Sequence, residues 1–222
     1  MATKWLFCDA KDFLVNFYMS TSEKDSDKVE EPDIEYGRYS YADYLTWQMD
    51  EMVELIKGKV FKKAAAAPRR IHQKVAVELI KRWAVFLEEK VCEVYSAPFD
   101  VRLPHQSKVD KDISTVVQPD LCVICDRAKL DDRGCIGAPD LVVEILSPGN
   151  NRLELQNKYE LYLESGVKEY WIIHPDEQTL LVYTLVKGKY VPSQLMTSGD
   201  MVRSKAVEGF ELDLEDFFSK IK

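Results

Sequence analysis

One stretch, Ala138 to Pro175, limits what this chain can fold into: APDLVVEILSPGNNRLELQNKYELYLESGVKEYWIIHP. It reads as strand, turn, helix and strand. Leu141, Val142, Val143, Ile145 and Leu146 form a near-continuous apolar run, the pattern of a strand buried on both faces. Ser147 to Asn151 is turn chemistry and stops the strand. From Arg152 to Glu164, Leu153, Leu155, Tyr159, Tyr162 and Leu163 recur at helical spacings between charged residues. Gly166 is a C-terminal stop. Tyr170 to Ile173 is the next strand, and Pro175 ends it. A unit of this size is the usual crossover between parallel strands. One acid, Glu144, stands inside the first strand. A carboxylate there is costly unless it is paired or binds a cation. The crossover brings Lys158 of the helix within its reach. The two residues form either a structural ion pair or part of a functional site.

Upstream, Ser40 with Asp43 starts a helix as a capping-box variant, expected to run to about Met52. Val53 to Ile56 and Lys59 to Phe61 read as a hairpin turning at Gly58. Glu54, between apolar neighbours, is either a solvent-facing strand residue or a second inward carboxylate. Pro68 opens a long helix to about Lys90, with Ile71, Val75, Leu79, Trp83 and Phe86 as its core stripe. Its start carries Arg69, Arg70, His72 and Lys74, and Lys62 and Lys63 precede it. A helix N-terminus with basic groups favours phosphate; the alternative is a solvated basic face. Glu93 to Leu103 and Thr115 to Asp126 read as strands, the second containing Gln118-Pro119-Asp120. Lys129 to Gly137 reads as a loop. Beyond the crossover come an antiparallel pair (Thr179 to Val186, Lys189 to Leu195), a short strand near Ala206 and a helix at Leu214 to Phe218.

The 222 residues suffice for one large domain or two small ones. Residues 1–38 read as an extension: an apolar segment, Lys4 to Met19, and an acidic flexible linker, Ser20 to Gly37. The net charge of −8 argues mildly against a general nucleic-acid binder. Five of those charges come from Glu23 to Glu35, which leaves −3 for the rest. No apolar run approaches the ~20 residues of a membrane span. The first residues lack the basic start and cleavage site of a secretory signal, so a cytoplasmic protein is expected. The five cysteines do not suggest a disulfide framework. Cys122 and Cys125, inside the strand-like LCVIC, point to opposite faces. They are expected to be buried thiols rather than a metal or redox pair.

Three features converge on one chemistry. Asp120 enters one strand, Glu144 lies in the next, and Lys158 follows in the helix behind it. Two carboxylates on adjacent strands suit a hard cation such as Mg²⁺, which prefers oxygen ligands and keeps several waters. Such an ion activates water and screens phosphodiester charge, and a nearby lysine stabilises the charge that develops in the transition state.

From about Tyr39 to Phe217 the chain resembles the Uma family of restriction-endonuclease-like bacterial proteins, which share the PD-(D/E)XK nuclease fold. The matching residues are Tyr41-Ala42-Asp43-Tyr44-Leu45, Glu54-Leu55-Ile56 with Gly58, His72, Pro119-Asp120, and Ala138 to Pro148 with Lys158, Tyr162 and Gly166 to Trp171. The resemblance implies an α/β domain over residues 39–222, with a restriction-endonuclease-like core. That core is a mixed central β-sheet flanked by helices, with additional antiparallel hairpins. It implies a Mg²⁺-dependent DNA endonuclease, with Mn²⁺ as a substitute ion. Asp120 and Glu144 would be the metal ligands, and Lys158 and Glu54 would complete the catalytic set. His72, with Arg69 and Arg70, would meet the substrate phosphate. The lysine expected two residues after Glu144 is absent, since Leu146 stands there, and Lys158 takes its place. Gly149 replaces a common second serine and Glu154 a common aspartate; neither change removes a ligand. Asp140 is expected to cap or orient its loop. Cutting both strands with one site per chain implies a homodimer. The alternatives are a nuclease-fold nucleic-acid or protein binding module without cleavage, and a hydrolase of another phosphate ester.

Overall fold

The computed structural model describes residues 39–48, 52–62, 69–147 and 152–221. The expected extension (1–38), Lys63, Pro68 and the turn residues 148–151 lie outside the described residues. The first elements are α1 (Tyr41–Tyr44), β1 (Val53–Ile56), β2 (Lys59–Lys62), α2 (Arg70–Leu87), β3 (Glu93–Ser96) and β4 (Val101–Arg102). Next come β5 (Val116–Val117), β6 (Leu121–Ile124), β7 (Leu130–Asp131), β8 (Gly134–Ile136) and β9 (Leu141–Ile145). Then follow α3 (Arg152–Ser165), β10 (Glu169–His174), β11 (Thr179–Val186), β12 (Lys189–Pro192) and β13 (Met196–Thr197). The last are β14 (Met201–Arg203), β15 (Glu211–Asp213) and α4 (Leu214–Lys220).

These strands make two main sheets. The larger has the order β12-β11-β10-β9-β6-β3, with β13 also on β11. The smaller has the order β2-β1-β5-β4-β8-β7, and β14 and β15 form a separate hairpin. The crossover is as the sequence predicts. β9 and β10 are parallel with α3 between them, and the other pairs of the larger sheet are antiparallel. Alternation along β9 sorts the core. Leu141, Val143 and Ile145 face a layer that includes Val75, Leu79 and Trp83 of α2 and Phe217 of α4. Val142 and Leu146 face α3 through Leu155, Tyr159 and Tyr162. Glu144 belongs by period to the α3 face. Gly166 ends α3 at φ +82°, and the Val167 amide returns to the Tyr162 carbonyl (3.0 Å), a Schellman closure.

Four sequence expectations are corrected. The first helix is one turn long, although the Ser40–Asp43 capping box is present. Thr46 and Trp47 donate to the carbonyls three residues back, tight bonds that stack Tyr44 on Tyr41 and bring it against Trp47. The expected strands Glu93 to Leu103 and Thr115 to Asp126 each break in two, and their halves join different sheets. Pro98 and Pro119 explain both breaks. Neither has an N–H to give, and the β3–β6 register sets them opposite each other. The last bond before them runs from the Ala97 amide to the Asp120 carbonyl (3.3 Å). The expected loop Lys129 to Gly137 contains the β7–β8 hairpin. The strand expected near Ala206 is instead the pair β14 and β15, with Ala206 between them.

The cysteines divide. Cys122 and Cys135 are buried free thiols; burial pushes both up, Cys135 to about 11. Cys125 is bonded to Cys92, a correction to the reading of it as a thiol. The β3–β6 register puts the two directly across from each other, which a separation of 33 residues conceals in the sequence. No helix among the described residues is long and apolar enough to cross a membrane.

Trp83 is fully buried, stacks on Phe210 and packs against Trp171. Its truncation removes one of the two largest buried side chains between α2 and the sheet. Trp83→Ala is expected to lower unfolding stability by about 3–5 kcal/mol, read as a lower urea midpoint at unchanged slope.

Candidate active site

Glu144, Lys158 and Glu54 form a buried acid–cation–acid cluster, at 6, 3 and 4 % exposure. Lys158 Nζ donates to Glu144 Oε2 at 2.8 Å and lies 3.7 Å from Glu54 Oε1. The Tyr162 hydroxyl donates to Glu144 Oε1 at 2.7 Å. Lys158 and Tyr162 are one helical turn apart, so both project from the same face of α3. That spacing could have shown Tyr162 as a second donor to Glu144. Glu54 faces inward, which decides the open alternative, and its Oε1 accepts the Gln118 amide at 3.0 Å.

The protonation states follow from burial and charge. Burial pulls the Lys158 ammonium toward losing its proton, but Glu144 and Glu54 outweigh it and hold the pKa well above the ordinary lysine value. Burial, reinforced by the charges of Glu144 and Glu54, keeps the Tyr162 hydroxyl protonated. A raised lysine pKa stabilises the fold fully below the unfolded value near 10.5 and loses that contribution only above it. At neutral pH Lys158 is therefore a fixed positive charge and not a base.

Asp120 completes the group. Continuing the β6–β9 register by one residue sets it opposite Glu144. Its Oδ2 accepts the Ile145 amide at 2.7 Å and lies 3.4 Å from His72 Nε2. The structure thus places His72 behind Asp120, 8 % exposed, and not at an open phosphate position. Arg69 is tied to Asp176 at 2.7 Å, and Arg70 is exposed at the start of α2. Neither arginine is brought to the acid cluster by a described contact. Asp140 orients its loop as expected. Its Oδ2 accepts the Cys125 amide at 2.7 Å, and Lys168 pairs with its Oδ1 at 2.6 Å.

The donor chemistry fits a hard cation in one specific way. Among the described residues no three His, Cys, Asp or Glu side chains form a ready-made metal cage. Asp120 and Glu144 stand at facing register positions, with both Glu144 oxygens also accepting hydrogen bonds, from Lys158 and Tyr162. One or two carboxylates, completed by waters and a phosphate, are what Mg²⁺ takes.

The model of the Uma2 family, described as "Putative restriction endonuclease", matches residues 41–215. The chain belongs to the Uma2 family. It is 22% identical over 144 residues to an uncharacterised protein of Synechocystis sp. (strain PCC 6803), a match that spans 64% of this chain and 71% of that one. A solved structure from Anabaena variabilis, described as a putative nuclease belonging to DUF820, superposes at a TM-score of 0.65 with 20% identity. The superposition covers 83% of this chain and 99% of that chain. At that identity the likeness shows the fold, the α/β arrangement of mixed sheets flanked by helices that the sequence predicts.

Lys158→Met leaves Glu144 and Glu54 buried without their cation. We expect a loss of about 3–5 kcal/mol at neutral pH. The two acids keep the Tyr162 and Gln118 donors but lose the opposing charge, and burial of uncompensated negative charge favours the neutral forms, so the deficit shrinks as pH is lowered toward about 5 and widens toward pH 8. Urea unfolding of both proteins at several pH values checks the sign.

Proposed function

We propose that this Uma2 member is a divalent-metal-dependent endonuclease that hydrolyses phosphodiester bonds of DNA. The family supports a nuclease-like activity. The single observation that carries the finer reading is the pairing of Asp120 and Glu144 at facing positions with Lys158 bonded to Glu144 at 2.8 Å. Asp120 and Glu144 would hold Mg²⁺ or Mn²⁺, which supplies Lewis-acid neutralisation of the phosphodiester and lowers the pKa of a coordinated water. The chain's own groups do the rest. Lys158 Nζ, held protonated, supplies positive charge in a low-dielectric setting where phosphoryl oxygens gain charge. Tyr162 fixes the free rotation of the Glu144 carboxylate through Oε1. Glu54 holds Lys158 from the second side and secures the backbone before Asp120. His72 sets the Asp120 rotamer from α2. A cytoplasmic homodimer, each protomer cutting one strand, belongs to the same reading.

A second reading is favoured by the same ion cluster: a nuclease-fold binding module in which Lys158 only ties α3 to the sheets. Calorimetric titration of Mn²⁺ into wild type and Asp120→Asn, followed by plasmid nicking in the same buffers, separates the two. The endonuclease reading expects binding and nicking in wild type, with both lost in the variant. Equal nicking by the two proteins contradicts the site assignment, and no binding in wild type favours the binding module. Light scattering that finds only monomers contradicts the paired-cut arrangement.

A further inference from the structure

The turn Gln118-Pro119-Asp120 is gripped from a side that the acid cluster does not include. The Gln118 side-chain amide donates through Nε2 to Asp100 Oδ1 (2.8 Å) and to the Tyr44 hydroxyl (3.2 Å). Tyr44 donates to Asp100 Oδ1 (3.3 Å) and Tyr41 to Asp100 Oδ2 (3.2 Å). Asp100 is itself fixed through its backbone. Its carbonyl accepts the Cys135 amide at 2.9 Å. Gly134, at φ +125°, lies so close that a Cβ there would sit 2.2 Å from the same carbonyl oxygen. Tyr41 is 1 % exposed, and its ring lies under the guanidinium groups of Arg102 (5.2 Å) and Arg133 (5.7 Å). Burial, aided by the Asp100 charge, pushes both tyrosines up, Tyr41 to about 12, so both hydroxyls remain donors. Three segments distant in sequence therefore meet at one residue of the bend before β4: α1 and the Gln118 turn at the Asp100 carboxylate, and the β7–β8 hairpin at its carbonyl.

We propose that Asp100 is a positioning residue for Asp120, acting through Gln118. Gln118 is clamped at its main chain by Glu54 and at its side chain by Asp100. The proline that follows has its φ locked near about −65° and restricts the residue before it. Little backbone freedom then remains upstream of Asp120, and its carboxylate is delivered to the Ile145 amide. The Tyr41 and Tyr44 hydroxyls give the short helix α1 its part in this clamp. The functional consequence rests on the metal-site reading above, whereas the positioning itself does not.

The Ile145 amide reports where the Asp120 carboxylate sits, because it donates to Oδ2. The neighbouring Leu146 amide, bonded to the Ile173 carbonyl at 2.8 Å, is the internal control. Hydrogen exchange on ¹⁵N-labelled protein is read at both. Asp100→Ala and Gln118→Ala are expected to speed Ile145 exchange at least ~10-fold with Leu146 unchanged, and the double variant to be no worse than either single. Asp100→Asn, which keeps an acceptor for Gln118, is expected to restore protection. Mn²⁺ affinity should fall roughly 10-fold in the two alanine variants. Unchanged Ile145 protection in both alanine variants overturns the proposal. So does loss that Leu146 shares, since that is general loosening. If wild type binds no Mn²⁺ the metal reading fails, and the Ile145 comparison still decides the positioning.

Discussion

A lysine buried to 3 % exposure, between two carboxylates, is the interaction on which the rest of this structure depends. An isolated ammonium in the interior would shed its proton, and isolated carboxylates would take one up. Here each charge is tolerable only because the others are present. The arrangement also joins parts of the fold that share no hydrogen-bonded ladder. Glu144 belongs to the larger sheet, Glu54 to the smaller, and Lys158 to the crossover helix. One side chain therefore links both sheets and α3, alongside the apolar cluster that packs between them. Tyr162, on the same face of that helix, removes the remaining freedom of the Glu144 carboxylate.

The cluster lies where it does because the two sheets part there. Pro98 and Pro119 interrupt both strands at facing positions, and the chain on each side passes from one sheet to the other. Some backbone amides at the parting are then held by side chains rather than by a neighbouring strand. The Gln118 amide goes to Glu54, the Ile145 amide goes to Asp120, and the Gln118 side chain goes to Asp100. An acid beside a strand break thus becomes a group of acids at a junction, with fixed positive charge behind it. This junction of acids and fixed positive charge is what the proposed endonuclease reading rests on.

Much of this was legible in the sequence, for physical reasons that can be named. The crossover was readable because burial on both faces writes a continuous apolar run and the helix writes its own period. Glu144 stood out as the one charge in that run, and Lys158 as the cation one helix away. Glu54 was ambiguous, because an acid within a short strand looks the same facing solvent or facing inward. Its direction depends on which sheet covers the hairpin. The two long strands look continuous in the sequence, since a proline inside an apolar run marks a break without saying that the halves join different sheets. The Cys92–Cys125 bond and the Asp100 clamp left no local signal at all. Both are products of cross-strand register and tertiary approach. His72 carries a similar ambiguity, because a basic residue at a helix start fits phosphate as well as it fits a neighbouring carboxylate, here Asp120 at 3.4 Å.

The most direct measurement is crystallographic: crystals grown with Mn²⁺, with data collected on both sides of the manganese absorption edge. An anomalous peak is expected within bonding distance of both Asp120 and Glu144, with the Lys158 ammonium retained beside Glu144. Manganese bound only elsewhere on the protein, or a site between the two carboxylates that stays empty at millimolar ion, would contradict it.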